Sequence, residues 1–134
     1  MKIYFCGSIK GGRQKVNTYK YIIDLLKKYG EVLTEHVGDS NYALTGYALA
    51  EAVYVQDTLW LNQCDVVVAD VSVASIGVGY ELGMAEALGK KIFCLYDEGF
   101  SETISSMIKG NKNFTLYSYT NEDDLKEIIC NKIF

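Results

Sequence analysis

Two acidic residues stand in surroundings where a carboxylate could do chemistry. Glu81 lies in "SIGVGYELGMAEALGKK", residues 75–91, where glycines and small residues prepare a tight turn into a helix. The pattern predicts Glu81 in the first turn of that helix. The helix dipole favours acidic residues there, so position alone explains Glu81 about as well as catalysis does.

Asp57 belongs to a longer helical stretch, and its neighbours on the helix are mostly apolar. An advance of about 100° per residue places it between Val53 and Trp60 on one side and Leu61 on the other. Burial among such side chains raises the pKa of a carboxyl towards values useful for proton donation. A surface aspartate, or a partner for a nearby lysine, is the alternative interpretation.

A glycine-rich turn, "CGSIKGG", follows the first apolar run of the chain. Ser8, Lys10 and Arg13 add a hydroxyl and positive charge to free backbone N–H groups, a combination that suits an anion. The spacing is that of neither a Walker loop nor G-x-G-x-x-G. A tight turn that uses glycine for its geometry is an equally good interpretation.

The elements that must position these residues alternate between strand and helix. Apolar, β-branched runs predict strands at Lys2–Cys6, Val32–Thr34, Asp65–Val71, Lys91–Tyr96 and Phe114–Tyr119. Helical spacing fits the stretch "RQKVNTYKYIIDLLKKYG", residues 13–30, and also Gly46–Gln63, Gly79–Leu88, Glu102–Lys109 and Asn121–Asn131.

This alternation predicts an α/β fold. We expect a flavodoxin-like Rossmann fold, a five-stranded parallel sheet in the order 2-1-3-4-5 with helices on both faces. Ligands bind such sheets at the carboxyl ends of the strands. The turn after the first strand and the loop before Glu81 should meet there, so two carboxylates near a phosphate loop suggest an acid and a nucleophile for splitting a glycosidic bond.

Length and composition narrow the classes of protein. The 134 residues suit a single domain, residues 1–134, and the net charge of −4 argues against binding nucleic acid through its backbone. No apolar run is long enough to span a membrane, and the opening "MKIYFCGSI" is interpreted as a strand, so we expect a cytoplasmic protein.

The cysteines and the single histidine do not form a metal-binding pattern. Cys6, Cys64, Cys94 and Cys130 are far apart without C-x-x-C spacing, and with His36 they make a poor zinc set. Reduced structural thiols are expected.

The predicted helix Gly46–Gln63 is apolar on nearly every side apart from one polar stripe of Glu51, Thr58 and Asn62. A helix with so many apolar faces is typically covered by the sheet on one side and by another subunit on the other. We therefore expect a homodimer.

Several blocks of sequence resemble one known family. "YFCGSIKGGR", "VLTEHV", "QDTLWLNQCDVVVADV", "SIGVGYELG", "KIFCLY" and "SSMIKG" are similar, in order along the chain, to the 2′-deoxynucleoside 5′-monophosphate N-glycosidases, relatives of the nucleoside 2-deoxyribosyltransferases. The resemblance implies a flavodoxin-like homodimer that hydrolyses a deoxynucleotide to free base and 2-deoxyribose 5-phosphate without a metal or cofactor.

The resemblance also implies catalytic roles. Glu81 of "GYELG" matches the family's nucleophile, and Asp57 of "QDTLW" matches its proton donor. Tyr4 of "YFCGSI" would orient the Glu81 carboxylate and leave no room for a 2′-hydroxyl, which favours deoxyribose.

The implied binding residues cluster in the same blocks. Three serines of the family bind phosphate, and they correspond to Ser8, Ser75 and Ser105, the last from the neighbouring subunit. Met107 would also wall the neighbouring active site, although its spacing alone suggests core, and His36 would lie by the base. The remaining contacts would come from the turn and the helix start: Gly7, Ile9, Lys10, Gly11, Gly12, Arg13, Gly77 and Gly79.

The chain departs from the family's sequence pattern at two places, and three alternative functions stay open. Lys10 stands where mammalian members have arginine, which keeps the charge but loses the bidentate fork, and Gly38–Thr45 matches poorly, so base preference is open. A nucleoside 2-deoxyribosyltransferase would pass the sugar to a second base. A CMP-type ribonucleotide N-glycosidase would share the chemistry but is disfavoured by Tyr4, and a nucleotide-binding module would lack catalysis.

Overall fold

A computed structural model describes residues 1–9, 11–42 and 47–134. Five strands form one parallel sheet in the order β2-β1-β3-β4-β5, which confirms the predicted fold class and strand order. The strands are β1 (Lys2–Cys6), β2 (Glu31–Val32), β3 (Val66–Asp70), β4 (Lys91–Asp97) and β5 (Thr115–Tyr119). The central strand β3 is buried along its whole length, as expected where helices cover both faces of a parallel sheet.

The second strand is shorter than the predicted Val32–Thr34 and begins one residue earlier. Thr34 does not belong to the strand, and its side chain, in place of its backbone, forms the hydrogen bonds with β1. The Phe5 N–H donates to Thr34 Oγ1 at 2.8 Å, and the Thr34 hydroxyl donates to the Phe5 carbonyl at 2.7 Å. Two buried hydrogen bonds between the Thr34 side chain and the Phe5 backbone thus mark the end of β2.

The helices are α1 (Val16–Leu26), α2 (Tyr47–Gln63), α3 (Ile76–Ala87), α4 (Ser106–Lys109) and α5 (Glu122–Ile128). A π-helical turn, Ile129–Ile133, continues α5, and 3₁₀ turns cover Glu35–Gly38 and Glu98–Thr103. Gly46, the first residue of the helix predicted over Gly46–Gln63, lies outside the described residues.

Two helix predictions need correction. Helix α3 begins at Ile76, because the Ser75 side chain accepts the Val78 N–H as an N-cap, so Glu81 lies in the second turn and not in the first. The predicted helix Glu102–Lys109 is split, since Ile104 is extended and buried between the second 3₁₀ turn and α4.

The sheet separates two hydrophobic cores. One core packs α1 and α5 against Phe5, Val68 and Leu95, and the other packs α2 and α3 against Tyr4, Cys6 and Cys94. Alternation along β1 therefore places Tyr4 and Cys6 on the face that α3 covers. Among the described residues, no helix combines the length and apolar character that crossing a membrane requires.

Candidate active site

A cleft of about 980 Å³ opens beside the carboxyl ends of β1 and β3. Its walls come from the turn after β1, helix α2, the β3–α3 turn, helix α3 and the segment around α4. Ten residues predicted for the site line this one cleft: Gly7, Ile9, Gly11, Asp57, Ser75, Gly77, Gly79, Glu81, Ser105 and Met107. The edge of the sheet thus gathers blocks that lie far apart in the sequence.

Glu81 projects from the second turn of α3, a helix whose Val78, Leu82 and Ala85 are buried against the sheet. Burial raises the pKa of the Glu81 carboxyl to about 7, and the nearby charge of Asp57 adds to the rise. Hydrogen bonding from Cys6 and from Tyr4 opposes it. Glu81 is therefore a desolvated carboxylate with two neutral donors.

Asp57 faces the same cleft from α2. Burial alone raises the pKa of its carboxyl to about 6, which agrees with the apolar setting expected from the helical spacing. A carboxyl in this state can hold a proton near neutral pH and give it to a leaving group.

Tyr4 and Cys6 lie beneath Glu81 on β1. Burial raises the pKa of the Tyr4 hydroxyl far above its usual value, and the charges of Glu81 and Asp57 act in the same direction. Burial likewise raises the pKa of the Cys6 thiol, so both groups stay protonated. Sequence reasoning missed Cys6 as a site residue. Its position two residues after Tyr4 on one strand was the signal that could have found it.

The turn after β1 and the start of α3 form the polar end of the cleft. The Ser8 hydroxyl is fully buried and, among the described residues, is the one buried side-chain nitrogen or oxygen without a hydrogen-bond partner. A Cβ on Gly11 would lie 2.9 Å from that oxygen and 2.4 Å from the Ala74 carbonyl oxygen. Close approach of the two turns thus requires glycine, and it leaves an unpaired hydroxyl there, as an anion site would.

Ser105 and Met107 line the cleft of their own chain. Ser105 is the N-cap of α4, where its side chain accepts the Met107 N–H at 3.2 Å, and Met107 is 82% exposed. Their predicted contribution to a neighbouring active site stays a prediction.

Besides the buried Ser8, three described residues predicted for binding do not line the cleft. Arg13 donates to the Ser8 carbonyl at 3.1 Å and to the Asp39 carbonyl at 2.7 Å, so it braces the turn. Gly12 permits this turn through its φ of +137°. His36 lies against Tyr42 with ring centroids 4.5 Å apart, and burial lowers the pKa of its imidazole. The predicted contact of Lys10 falls outside the described residues.

Within residues 1–9, 11–42 and 47–134, no three His, Cys, Asp or Glu side chains come together in a group that could hold a metal ion. The four cysteines are free thiols. The cleft does present two carboxyl groups with raised pKa values, Glu81 and Asp57, which suit proton transfer and nucleophilic attack.

Comparison with known proteins identifies a family. Residues 3–121 match the family described as nucleoside 2-deoxyribosyltransferase. The 5-hydroxymethyl-dUMP N-hydrolase of Mus musculus is 44% identical over 127 residues, which cover 90% of this chain and 73% of that protein. The protein of the same name from Danio rerio is 42% identical over 133 residues, covering 96% of this chain and 93% of that protein.

A solved structure of a CMP N-glycosidase from Clostridium botulinum has a similar fold. Its TM-score is 0.66 at 22% sequence identity, over 96% of this chain and 98% of that chain. At this identity the likeness supports the fold.

Proposed function

Because the chain belongs to the nucleoside 2-deoxyribosyltransferase family, we propose that it hydrolyses the N-glycosidic bond of 2′-deoxynucleoside 5′-monophosphates. The products are the free base and 2-deoxyribose 5-phosphate. One observation carries the proposal: two carboxyls with raised pKa values, Glu81 and Asp57, line a single cleft whose wall at Gly7, Ile9 and Gly11 adjoins the unpaired buried hydroxyl of Ser8. The activity named for the mouse and zebrafish relatives supports the same reaction class.

The first step forms a glycosyl-enzyme ester. A Glu81 carboxylate oxygen attacks the anomeric carbon, and the bond from that carbon to the base nitrogen breaks. The electron pair of that bond leaves with the base, which takes a proton from the Asp57 carboxyl.

The second step consumes one water. Asp57, now ionised, takes a proton from the water as its oxygen attacks the anomeric carbon, and the bond to the Glu81 oxygen breaks. Both carboxyl groups return to their starting protonation states, and 2-deoxyribose 5-phosphate is released.

Specificity for deoxyribose is assigned to Tyr4. Its hydroxyl stays neutral, and its influence on the pKa of Glu81 indicates that the two groups are neighbours. In the proposal this hydroxyl fills the space that a ribose 2′-hydroxyl would need. A ribonucleotide is therefore expected to be a poor substrate.

The phosphate site is assigned to the polar end of the cleft. Ser8 and Ser75 offer hydroxyls there, and the backbone N–H groups at the start of α3 carry the partial positive charge of a helix N-terminus. Cβ atoms on Gly77 and Gly79 would meet almost nothing, so the helix start leaves room for a phosphate group. Ser105 also lines this cleft, and in the homodimer its hydroxyl is proposed to reach the phosphate bound by the neighbouring subunit.

The working form is assigned as a homodimer in the cytoplasm. Large apolar side chains are exposed on the helices beside the cleft: Leu49, Tyr54, Val55, Leu59, Ile76 and Tyr80. Large exposed apolar side chains in this number on two helices suit contact with a second copy of the chain. Four free thiols suit a reducing compartment.

The test is a substrate panel. The protein is incubated with the common 2′-deoxynucleoside 5′-monophosphates, the matching deoxynucleosides and the matching ribonucleotides, and free base and sugar phosphate are measured. We expect base release from deoxynucleotides, with equimolar 2-deoxyribose 5-phosphate, and far less from the other two classes. A new nucleotide formed when a second base is added would indicate a transferase, and no base release from any substrate would contradict the proposal.

A further inference from the structure

A buried carboxyl group stands at the carboxyl end of β3. Asp70 is completely buried, and the alternation of side chains along β3 places it on the same face as Val66 and Val68, which belong to the core formed with α1 and α5. Asp70 is not among the side chains that line the cleft. Burial of a carboxyl group in such a core is unfavourable unless hydrogen bonds compensate for the lost water, so its partners indicate what it does there.

Asp70 accepts two hydrogen bonds that join separate parts of the chain. Its Oδ1 accepts the Ser72 N–H at 2.9 Å, and its Oδ2 accepts the Tyr119 hydroxyl at 2.6 Å. The second distance is typical of a hydroxyl that donates to a carboxylate. Asp70 therefore connects the end of β5 to the turn that follows β3.

Ser72 extends these contacts to β4 and α1. Its hydroxyl oxygen accepts the Asp97 N–H at 2.8 Å, and Asp97 Oδ2 lies 2.6 Å from Lys15 Nζ in an ion pair. Lys15 is the residue immediately before α1. Side chains thus join the ends of three strands and the start of one helix around a single turn.

That turn, residues 71–75, leads directly to the proposed phosphate site. Val71, Val73 and Ala74 line the cleft, and Ser75 is the N-cap of α3. Residues 71–75 belong to no helix or strand, so the regular hydrogen bonds of secondary structure do not fix their path. The bonds made by Ser72 restrain the turn from the side of the sheet opposite α3.

We propose that Asp70 is a positioning residue for phosphate binding: together with Tyr119 it holds Ser72, and so fixes the turn that presents Ser75 and the first N–H groups of α3 to the 5′-phosphate of the substrate. This inference rests on the phosphate site of the proposed function. Because Asp70 acts only on that turn, its removal should weaken the binding of a phosphorylated ligand and spare a ligand without phosphate.

The experiment compares Tyr119→Phe, Asp70→Ala and the double variant with the wild-type protein. Tyr117→Phe is the matched control, because it removes a hydroxyl from the same strand, and its ring packs against the same core beside Lys132 instead of Asp70. The probes are a carbocyclic 2′-deoxynucleoside 5′-monophosphate, which cannot be hydrolysed because carbon replaces its ring oxygen, and the same compound without phosphate. Calorimetry gives both Kd values, and thermal unfolding checks the fold of each variant.

We expect Tyr119→Phe to raise the Kd of the phosphorylated probe about three- to tenfold, the effect of one lost hydrogen bond, and Asp70→Ala to raise it at least as much. The double variant should match Asp70→Ala, because the Tyr119 hydroxyl acts through that carboxyl group. The Kd of the probe without phosphate should stay close to the wild-type value throughout, and Tyr117→Phe should change neither Kd.

Equal weakening of both probes would overturn the proposal and leave Asp70 with a structural role alone. Additive effects in the double variant, or a Tyr119→Phe protein that behaves like Tyr117→Phe, would overturn it as well. If Asp70→Ala did not fold, the comparison of Tyr119→Phe with Tyr117→Phe would still decide. A wild-type protein that preferred the phosphorylated probe but released no base from any deoxynucleotide would contradict the proposed hydrolysis and not the role of Asp70.

Discussion

Glu81 and Asp57 share a desolvated site, and the proton affinity of each therefore depends on the charge of the other. The pKa of Asp57 is raised to about 6 and that of Glu81 to about 7, in both cases mainly by burial. Because the charges interact, these values belong to the pair. Between about pH 6 and pH 7 the pair holds one proton. Glu81 has the higher of the two values, whereas the mechanism uses the form in which Asp57 carries that proton and Glu81 is ionised.

A bell-shaped pH dependence follows from this pair. Below about pH 6 both carboxyls become protonated and the nucleophile is lost, whereas above about pH 7 both ionise and the acid is lost. We expect kcat/KM for a deoxynucleotide to peak between these values and to fall on both sides. A rate that rises steadily up to pH 9 would contradict the assignment.

Replacement of the two carboxyls one at a time should give different results. Glu81→Gln keeps the size of the side chain but removes the nucleophile, so turnover should collapse for every leaving group while nucleotide still binds. Asp57→Asn removes the acid, so its cost should be smaller for an activated nitrophenyl deoxyriboside phosphate than for a natural base. The measurement is single-turnover base or nitrophenol release from both substrates by both variants.

Equal losses of both variants on both substrates would show that the two roles are wrongly assigned. Full turnover by Glu81→Gln would exclude the glycosyl-enzyme step.

Two turns at the carboxyl edge of the sheet pack closely because the residue between them is a glycine, which has no side chain. The turn after β1 and the turn after β3 meet at Gly11, where a Cβ would lie 2.4 Å from the Ala74 carbonyl oxygen and 3.2 Å from the Ser75 Cα. Backbone atoms cannot move aside as a flexible side chain can. The spacing of the proposed phosphate site therefore depends on this glycine.

Gly11→Ala should force these turns apart. We expect a stability loss of about 1–3 kcal/mol, typical of overpacking, together with a raised KM for deoxynucleotides. Gly99→Ala is the matched control, since its Cβ would make ordinary contact at 3.4 Å with Asp97 Oδ1, away from the cleft. Urea unfolding and initial rates measure both effects, and identical KM values in the two variants would count against the role of Gly11.

The whole molecule leaves an apolar surface uncovered on α2 and α3. Ile76 is 95% exposed and Met107 is 82% exposed, and both also line the cleft. Tyr54, Val55 and Leu59 extend this surface along α2. A second copy placed here would cover the rim of the cleft as well as the helices.

Val55→Lys should therefore disrupt the proposed dimer, since a buried unpaired ammonium is strongly unfavourable in an interface. Sedimentation velocity at micromolar concentration should show a dimer for the wild-type protein and a monomer for the variant. Asn17→Lys is the control. It adds the same charge at an exposed position of α1, on the other face of the sheet, and should leave the dimer intact. A monomeric wild-type protein would remove the proposed contribution of Ser105 and Met107 to a neighbouring site.

The sequence by itself predicted the strand order, through the fold that alternating strands and helices favour, and the approximate positions of most helices. Local motifs also singled out Glu81 and Asp57 as the candidate carboxyls. Helical spacing alone placed Asp57 among apolar side chains. Local patterns did not show that β2 would end before Thr34. The Thr34 side chain instead makes two hydrogen bonds with the Phe5 backbone, a partner 29 residues away in the sequence.

Only the tertiary structure decided how the site is assembled. The register of β1 against β3 and the packing of α3 across them bring Cys6 to Glu81, a pair 75 residues apart that no single motif contains. The tertiary structure also shows that Arg13 braces the turn after β1 and does not line the cleft. Burial is a property of the packed whole, and burial is what raises the pKa values of both carboxyls.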